Sequence, residues 1–455
     1  MQISKSNYIA YLKHPALLWL EKNDKTKLPP IDAATQAIFD TGHKFEPYAE
    51  SLFSGGITLG FDDYNTYRSL PARSLQAVAD GADVLFQSRF EYDDYTCLPD
   101  VVKVVERDGD RYIVDLYEIK SSTSVKEDHL YDLAFQKVVL DNNGFAIRNV
   151  YVMHVNNQYV RHGEIEPDKL VTTTEVTEQI AELEAFTLEN MPKALATATA
   201  QTMPDTSMDN LGILGVKADW QKVLDYMNPS ETDYKNVEPE INKPAIRKFL
   251  NNLQYPLYFL DYETMMGLVP YFDGQRPYQQ VPFQYSLHIL DSSGAELRQT
   301  EYLHEQNSDP MKPLAEQLIK DIGTSGSIVV WNQSFEMSRN REIGEAYPEL
   351  ADAMQAINDR VVDLMVPFKQ KLYHDERFGG SASIKNVLPV LVPELSYKEL
   401  DIQNGGSAQR AWMEAVLDET RASEKNKILA DLRKYCGLDT LAMVEIWQVL
   451  VNSAS

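Results

Sequence analysis

The sequence predicts an α/β protein with two domains. The chain has 455 residues, which is more than one hydrophobic core usually organises. Short apolar segments typical of strands alternate with amphipathic helical segments in two stretches of the chain, and a more polar, mainly helical stretch separates them. We therefore divide the chain into a first α/β domain at residues 1–165, a connector at 166–253 and a second α/β domain at 254–455.

The elements of the first domain follow from apolar periodicity and turn signals. Apolar residues at helical spacing predict one helix within the first 30 residues, ending near Leu28-Pro29-Pro30, and a second helix from about Asp32 to Phe53. A strand ITLGF, a helix RSLQAVADG and a strand-like segment ADVLFQSRFEY come next. The strands VVKVVE and YIVDLYEIK flank Arg107-Asp108-Gly109-Asp110, where Asp-Gly is a strong signal for a hairpin turn. The helix HLYDLAFQKVVLDNNG and the strand NVYVMHV complete the pattern.

The second domain repeats the alternation of strands and helices. Strands are predicted at YPLYFLDYE, VPFQYSLHIL and LRQTEYLHE, followed by the helix PMKPLAEQLIKDIG and the strand SIVVWN. Helices are expected from there to the end of the chain. In the connector, the segments MPDTSM and MNPSETD are predicted to be loops.

Composition limits the expected compartment and partners. No apolar run is long enough for a membrane span and no signal-peptide pattern occurs, so we expect a cytoplasmic protein without a membrane partner. Cys97 and Cys436 lie far apart and are expected to be free thiols. The formal charge of −25 argues against non-specific affinity for nucleic acid, unless bound divalent ions supply positive charge.

Acidic residues of the second domain occur at spacings that place them together. Asp261 and Glu263 are two residues apart on a predicted strand, so both side chains point to one face of the sheet. Glu336 follows the strand SIVVWN, where a helix would begin. Tyr435 and Asp439 are four residues apart on one face of the last predicted helix. A carboxylate cluster of this kind is typical of a site for divalent metal ions.

In this order, the motifs resemble those of the DEDD (DnaQ-like) 3'-5' exonuclease family, over roughly residues 254–452. Asp261 and Glu263 match its Asp-x-Glu motif, and Tyr435 and Asp439 match its Tyr-x-x-x-Asp motif. The second motif usually ends in Phe-Asp, whereas this chain has Phe335-Glu336. The resemblance implies an RNase H-like mixed sheet with helices. It also implies that these four acids are both metal ligands and catalytic residues, with Tyr435 orienting the attacking water.

Two further residues of this domain bear on the resemblance. Asp363, in RVVDLMVPF, is a second candidate for the third acid, although we interpret it as an anchor for the segment that follows. Lys385 could contact a substrate phosphate, and it could equally be an exposed solubilising charge. The hard oxygen ligands favour Mg²⁺ or Mn²⁺ over zinc, and two such ions can drive phosphodiester hydrolysis.

The first domain carries a second group of charged residues. Asp100 ends the segment YTCLPD, and Glu118 and Lys120 share one face of a strand because they are two residues apart. With Gln136 on the next helix, they resemble the PD-(D/E)XK nuclease superfamily in its RecB-like or Cas4-like branch, over about residues 1–165. The resemblance implies a restriction-endonuclease-like mixed sheet with helices. It assigns Asp100 and Glu118 as metal ligands, Lys120 as the catalytic lysine, and Gln136 as a substrate-binding or site-supporting residue.

Several relatives in that branch hold an iron–sulfur cluster on four cysteines. Here His14 lies in the early segment YLKHPALLWL, and no cysteine occurs between Cys97 and Cys436. We therefore expect no iron–sulfur cluster.

The whole arrangement looks like an uncharacterised bacterial family of unknown function. We expect a metal-dependent nuclease acting on DNA or RNA, with 3'-5' exonuclease chemistry in the second domain. The first domain is expected to hold a second nuclease site or only to bind substrate. The alternative is a non-catalytic nucleic-acid-binding or assembly module that retains the nuclease folds.

Overall fold

The computed structural model describes residues 1–31, 33–109, 111–228 and 238–454, with the backbone alone for residues 33–41. It is a mixed α/β structure in which the chain divides into two compact units. Unit 1 comprises Met1–Glu231 and Leu268–Pro277, and unit 2 comprises Thr232–Gly267 and Tyr278–Ser455. The predicted connector is thereby divided between the two units.

Unit 1 contains nine strands and eight α-helices among its described residues. The strands are β1 (Ile3–Ser4), β2 (Ile57–Thr58), β3 (Val84–Phe86), β4 (Phe90–Tyr92), β5 (Tyr95–Cys97), β6 (Val101–Asp108), β7 (Arg111–Lys120), β8 (Phe145–Val155) and β9 (Val171–Glu175). The helices are α1 (Lys5–Lys13), α2 (Pro15–Asn23), α3 (Ala33–Glu50), α4 (Tyr64–Ala79), α5 (Glu127–Asp141), α6 (Pro167–Leu170), α7 (Thr177–Thr199) and α8 (Lys217–Met227).

The main sheet of unit 1 is mixed and has the strand order β2-β3-β6-β7-β8-β9. The predicted hairpin joins β6 to β7, and Gly109 in its turn has a φ of 60°; Asp110 lies outside the described residues. Helix α5 then crosses over so that β8 pairs in parallel with β7. Because β7 is a central strand flanked on both sides, its residues Val114 and Leu116 are buried in the core of unit 1.

Two predictions for the first half differ from the structure. The single helix of the first 30 residues is two helices, because Pro15 lacks a backbone N–H and its predecessor, His14, is extended (φ −163°, ψ 127°). His14 caps the second helix instead: its Nδ1 accepts from the Ala16 N–H, and its ring stacks on Trp220 at 3.8 Å. The strand ITLGF is only two residues long, and Asp32, predicted to begin the next helix, lies outside the described residues.

Unit 2 contains seven strands and eight α-helices among its described residues. The strands are β10 (Glu240–Ile241), β11 (Leu257–Met265), β12 (Val281–Leu290), β13 (Arg298–Leu303), β14 (Ser327–Val330), β15 (Val361–Asp363) and β16 (Tyr373–His374). The helices are α9 (Lys243–Leu250), α10 (Met311–Asp321), α11 (Gln333–Ala346), α12 (Ala351–Asn358), α13 (Val366–Lys369), α14 (Ile384–Leu391), α15 (Gly405–Trp412) and α16 (Lys425–Ala454). The predicted loop MNPSETD lies outside the described residues from Pro229 onward.

The five-stranded sheet of unit 2 has the order β13-β12-β11-β14-β15. Strands β13, β12 and β11 pair antiparallel, whereas β14 and β15 continue the sheet in parallel. The central strand β11 is almost wholly buried, and Phe259 on it contacts Trp447 of the long helix α16. Since α16 packs on β11 and β12, its inward face lies against the strand that carries the first acidic motif.

The described helices include none that is both long enough and apolar enough to cross a membrane.

Candidate functional site

In unit 2, β11 and α16 bring the first and last acidic motifs together. Asp261 and Glu263 lie on one face of β11, while Tyr262 points the opposite way and donates a hydrogen bond to Asn340 at 2.8 Å. Oxygen atoms of the two acids and the sulfur of Cys436, on α16, all lie within 4.8 Å of one another. The sequence did not predict a place in the cluster for Cys436.

The other two residues of the α16 motif face the same cluster. Tyr435 and Asp439 are both buried. Sequence reasoning missed a second phenol: Tyr397, between α14 and α15, donates to Asp439 Oδ1 at 2.5 Å. Asp439 is therefore held by a tyrosine from a segment 42 residues away.

Glu336 belongs to the first turn of α11, which follows β14 after Trp331 and the left-handed residue Asn332 (φ 85°). Its side chain is 1% exposed, and Oε2 has no hydrogen-bond partner among the described residues. Burial, together with the nearby charge of Asp363, raises the pKa of Glu336 to about 8. A buried carboxylate oxygen without a partner is costly unless a cation or a proton meets it.

Asp363 serves as an anchor, as the sequence suggested. Its Oδ1 accepts the backbone N–H of Met365 at 2.9 Å and that of Asn332 at 3.1 Å. One carboxylate oxygen thus ties the end of β15 to the start of α11. The charge of Asp363 raises the pKa of Glu336, but Glu336 is the acid with an unpartnered oxygen among the described residues.

The cluster in unit 2 carries excess negative charge. Burial, followed by repulsion from Asp439, raises the pKa of both Asp261 and Glu263 well above the ordinary range. Burial also raises the pKa of Asp439 to about 6 against the hydrogen bond from Tyr397. Lys385, exposed on α14, is the cation that lowers the pKa of Glu263 and Asp439, and its Nζ donates to the Gln403 carbonyl at 3.3 Å.

The donor set of this cluster fits a hard divalent cation. It offers carboxylate oxygens, including the unpartnered Oε2 of Glu336, and Mg²⁺ and Mn²⁺ prefer such ligands. Burial raises the pKa of the Cys436 thiol well above its ordinary value, so its sulfur stays protonated and is a poor ligand for these ions.

In unit 1, β7 and α5 bring together the residues of the second predicted site. Glu118 and Lys120 lie on one face of β7, and Lys120 Nζ donates to Glu118 Oε1 at 2.8 Å. Gln136 on α5 donates to Glu118 Oε2 at 2.8 Å. Asp100, just before β6, accepts the Ile119 backbone N–H on Oδ2 at 2.7 Å. All four predicted residues therefore converge.

Two members of the unit 1 site were not predicted. Asp132 lies one turn before Gln136 on α5 and accepts from it at 2.9 Å and from Lys120 at 2.8 Å. Lys5, the first residue of α1, donates to Glu118 Oε1 at 2.6 Å across a separation of 113 residues. The spacing of Asp132 and Gln136 was a visible signal in the sequence, whereas no local pattern marks Lys5.

The charges in unit 1 are balanced, unlike those in unit 2. Burial alone would raise the pKa of Glu118, but the charges of Lys120 and Lys5 outweigh it and hold that pKa well below its usual range. Burial and the Glu118 charge raise the pKa of Asp100 to about 7. Two ammonium groups thus neutralise most of the charge of Asp100, Glu118 and Asp132.

The fold and these clusters define a mixed α/β chain with one acidic site in unit 2 and one lysine-balanced acidic site in unit 1. A family profile described as a domain of unknown function (DUF2779) matches residues 258–383. That segment contains Asp261, Glu263 and Glu336 but ends before α16.

Two curated relatives share part of the chain. The uncharacterized protein MG366 of Mycoplasma genitalium is 26% identical over 214 residues, which is 43% of this chain and 32% of the relative. The uncharacterized protein UU173 of Ureaplasma parvum is 25% identical over 235 residues, covering 47% of this chain and 34% of the relative. The matched region thus spans about a third of the length of each relative.

Proposed function

We propose that unit 2 is a metal-dependent 3'-5' exonuclease that hydrolyses phosphodiester bonds of DNA or RNA. The observation that carries the proposal is the convergence of buried carboxylates from three separate elements. Asp261 and Glu263 come from β11, Glu336 from α11 and Asp439 from α16. Within the described residues their charge is balanced by little more than the exposed Lys385. Such an arrangement is costly in a folded protein unless bound cations complete it.

These four acids would hold Mg²⁺ or Mn²⁺, and the bound ions would supply an activated water and neutralise charge on the phosphate. The protein's own side chains set the geometry. Tyr435 lies one turn from Asp439 and would orient the attacking water. Tyr397 fixes the rotamer of Asp439 through its 2.5 Å hydrogen bond, and Lys385 would contact a substrate phosphate.

The fold supports the same proposal. The resemblance to DEDD exonucleases implies an RNase H-like mixed sheet with helices, and unit 2 has a mixed five-stranded sheet with helices. The acidic motifs lie on the central strand, at the start of the helix after β14 and on the last helix, and this placement supports the proposal.

For unit 1 we propose a second nuclease site of the PD-(D/E)XK type. The proposal is supported by the meeting of Asp100, Glu118, Lys120 and Gln136 within one hydrogen-bonded group. Asp100 and Glu118 would be the ligands of a divalent ion, and Lys120 would stabilise negative charge that develops on the phosphate. Because lysines already balance this cluster, we assign the principal metal-dependent activity to unit 2.

The test is cleavage of 5'-labelled single-stranded DNA and RNA with Mn²⁺. Wild type is compared with Asp261→Asn and Lys120→Met, and with Asp291→Asn as a matched control for loss of an exposed acid in unit 2. Stepwise shortening from the 3' end that is lost in Asp261→Asn alone supports the proposal. Activity lost only in Lys120→Met transfers it to unit 1, and a folded wild type that cleaves neither substrate favours the nucleic-acid-binding module.

A further inference from the structure

Lys5 lies at the centre of the unit 1 cluster, although it is remote from the cluster in sequence. Strand β1 pairs in parallel with β5, with Ile3 opposite Tyr95, and Ser4 caps α1 through the Asn7 N–H. The first residue of α1 is thereby fixed, and its side chain, 19% exposed, reaches Glu118. The cap and the strand pairing therefore hold this ammonium group beside a buried acid.

The two lysines of the cluster are not equivalent. Glu118 Oε1 accepts from both, at 2.6 Å from Lys5 and 2.8 Å from Lys120. Lys120 also donates to Asp132 at 2.8 Å, whereas Lys5 is 4.0 Å from Asp132. If a metal ion replaces the two ammonium groups on Glu118, Lys120 keeps its hydrogen bond to Asp132. Lys5 then loses its hydrogen-bond partner Glu118 and is the lysine that is released.

We propose that Lys5 is a displaceable counter-ion of the unit 1 site and its second phosphate-binding residue. In the metal-free site its ammonium neutralises Glu118. When a divalent ion binds Glu118 and Asp100, Lys5 is released and binds a phosphodiester of a nucleic-acid strand beside Lys120. The ligand class follows from the chemistry: two ammonium groups close to a metal site suit an anionic phosphate. This inference rests on the proposed nuclease role of unit 1.

Removing the ammonium group of Lys5 should raise the affinity of unit 1 for Mn²⁺ and lower its affinity for single-stranded DNA. Lys5→Met removes a cation that competes for Glu118, so Mn²⁺ binding to unit 1 tightens by roughly tenfold, the order expected for one charge-assisted hydrogen bond. The same change removes one phosphate contact, so single-stranded DNA binds more weakly and the slope of log affinity against log salt falls by about one. A residue that only stabilised the fold would not produce this pair of changes.

The experiment uses the full chain with both acids of β11 neutralised, as Asp261→Asn and Glu263→Gln, so that Mn²⁺ reports unit 1. Calorimetry measures Mn²⁺ affinity, and fluorescence anisotropy with Ca²⁺ measures the affinity for a short labelled single-stranded DNA over a range of salt concentrations. Lys5→Gln repeats the test with a polar neutral side chain should Lys5→Met fail to fold. Lys103→Met, on β6, is the control for loss of an exposed lysine.

Tighter Mn²⁺ binding together with weaker DNA binding and a reduced salt slope establishes the proposal. Unchanged or weaker Mn²⁺ binding overturns it, as does DNA binding equal to that of the Lys103→Met control. Failure of the exonuclease proposal is seen separately, because that proposal concerns cleavage by wild type and its loss in Asp261→Asn. A chain that cleaves nothing but still shows both effects of Lys5→Met would retain this inference alone.

Discussion

Replacing Glu336 by glutamine tests whether the acidic cluster of unit 2 is built for a cation. In the folded chain the pKa of Glu336 is about 8, against an ordinary value of 4.5, because the group is buried and lies near the charge of Asp363. The unfolded chain therefore releases this proton at lower pH than the folded chain does. As pH rises from about 4.5 to 8, Glu336 increasingly favours the unfolded state.

The magnitude follows from the two pKa values. Between pH 5 and pH 7 the penalty from Glu336 grows by about 2.5 kcal/mol, because over this interval the unfolded chain loses the proton and the folded chain keeps it. Glutamine has no such proton. Without metal, Glu336→Gln should therefore gain about 2.5 kcal/mol relative to wild type over this pH interval. With saturating Mn²⁺, Glu336→Gln should instead be less stable than wild type, because wild type gains more binding energy from the ion than the variant does.

The assay is urea unfolding followed by tryptophan fluorescence at pH 5 and pH 7, with a chelator and then with Mn²⁺. The transition that Mn²⁺ shifts in wild type is assigned to unit 2, since a chain of two units need not unfold in one step. Glu345→Gln, an exposed acid on the same helix, is the matched control. If wild type and Glu336→Gln show the same change in the free energy of unfolding between pH 5 and pH 7, the pKa of Glu336 is not raised in the folded chain and the reasoning is refuted.

Three further changes test individual residues. Tyr397→Phe removes a hydrogen bond that favours ionised Asp439, so the pKa of Asp439, about 6, should rise and the pH of half-maximal cleavage should move upward. The control is Tyr347→Phe, which loses a hydrogen bond to Asp309 elsewhere in unit 2 and should leave the pH profile of cleavage unchanged. Asp363→Asn keeps an oxygen that accepts both backbone N–H groups, so this variant should retain most cleavage. If Asp363 rather than Glu336 were the third acid of the cluster, the same change should reduce kcat about 100-fold or more. His14→Ala should destabilise unit 1 by about 1–2 kcal/mol in urea unfolding and leave cleavage intact, because a helix cap and a ring stack are lost.

Local periodicity explains what could be predicted from the sequence. The period of two along β11 placed Asp261 and Glu263 on one face, and the helical period placed Tyr435 and Asp439 on one face of α16. The Asp-Gly turn and the apolar runs similarly predicted the β6–β7 hairpin and most strands of both units. These features depend on a few neighbouring residues, so the sequence carries them directly.

The residues that were missed depend on contacts between distant segments. Lys5 meets Glu118 across 113 residues and Tyr397 meets Asp439 across 42, and neither has a local pattern. The choice between Glu336 and Asp363 as the third acid required side-chain partners, since Glu336 follows the parallel strand β14 and Asp363 ends the parallel strand β15. The break at His14 was readable from Pro15, but the apolar pattern across it favoured a single helix.

The most direct test of the central claim is degradation of one single-stranded DNA, labelled in separate reactions at its 5' and 3' ends, by the full chain with Mn²⁺. A 3'-5' exonuclease in unit 2 should release the 3' label at once as a mononucleotide, shorten the 5'-labelled strand stepwise, and lose both activities in Asp261→Asn. Internal fragments from both labels, or cleavage that survives Asp261→Asn and disappears in Lys120→Met, would contradict the assignment.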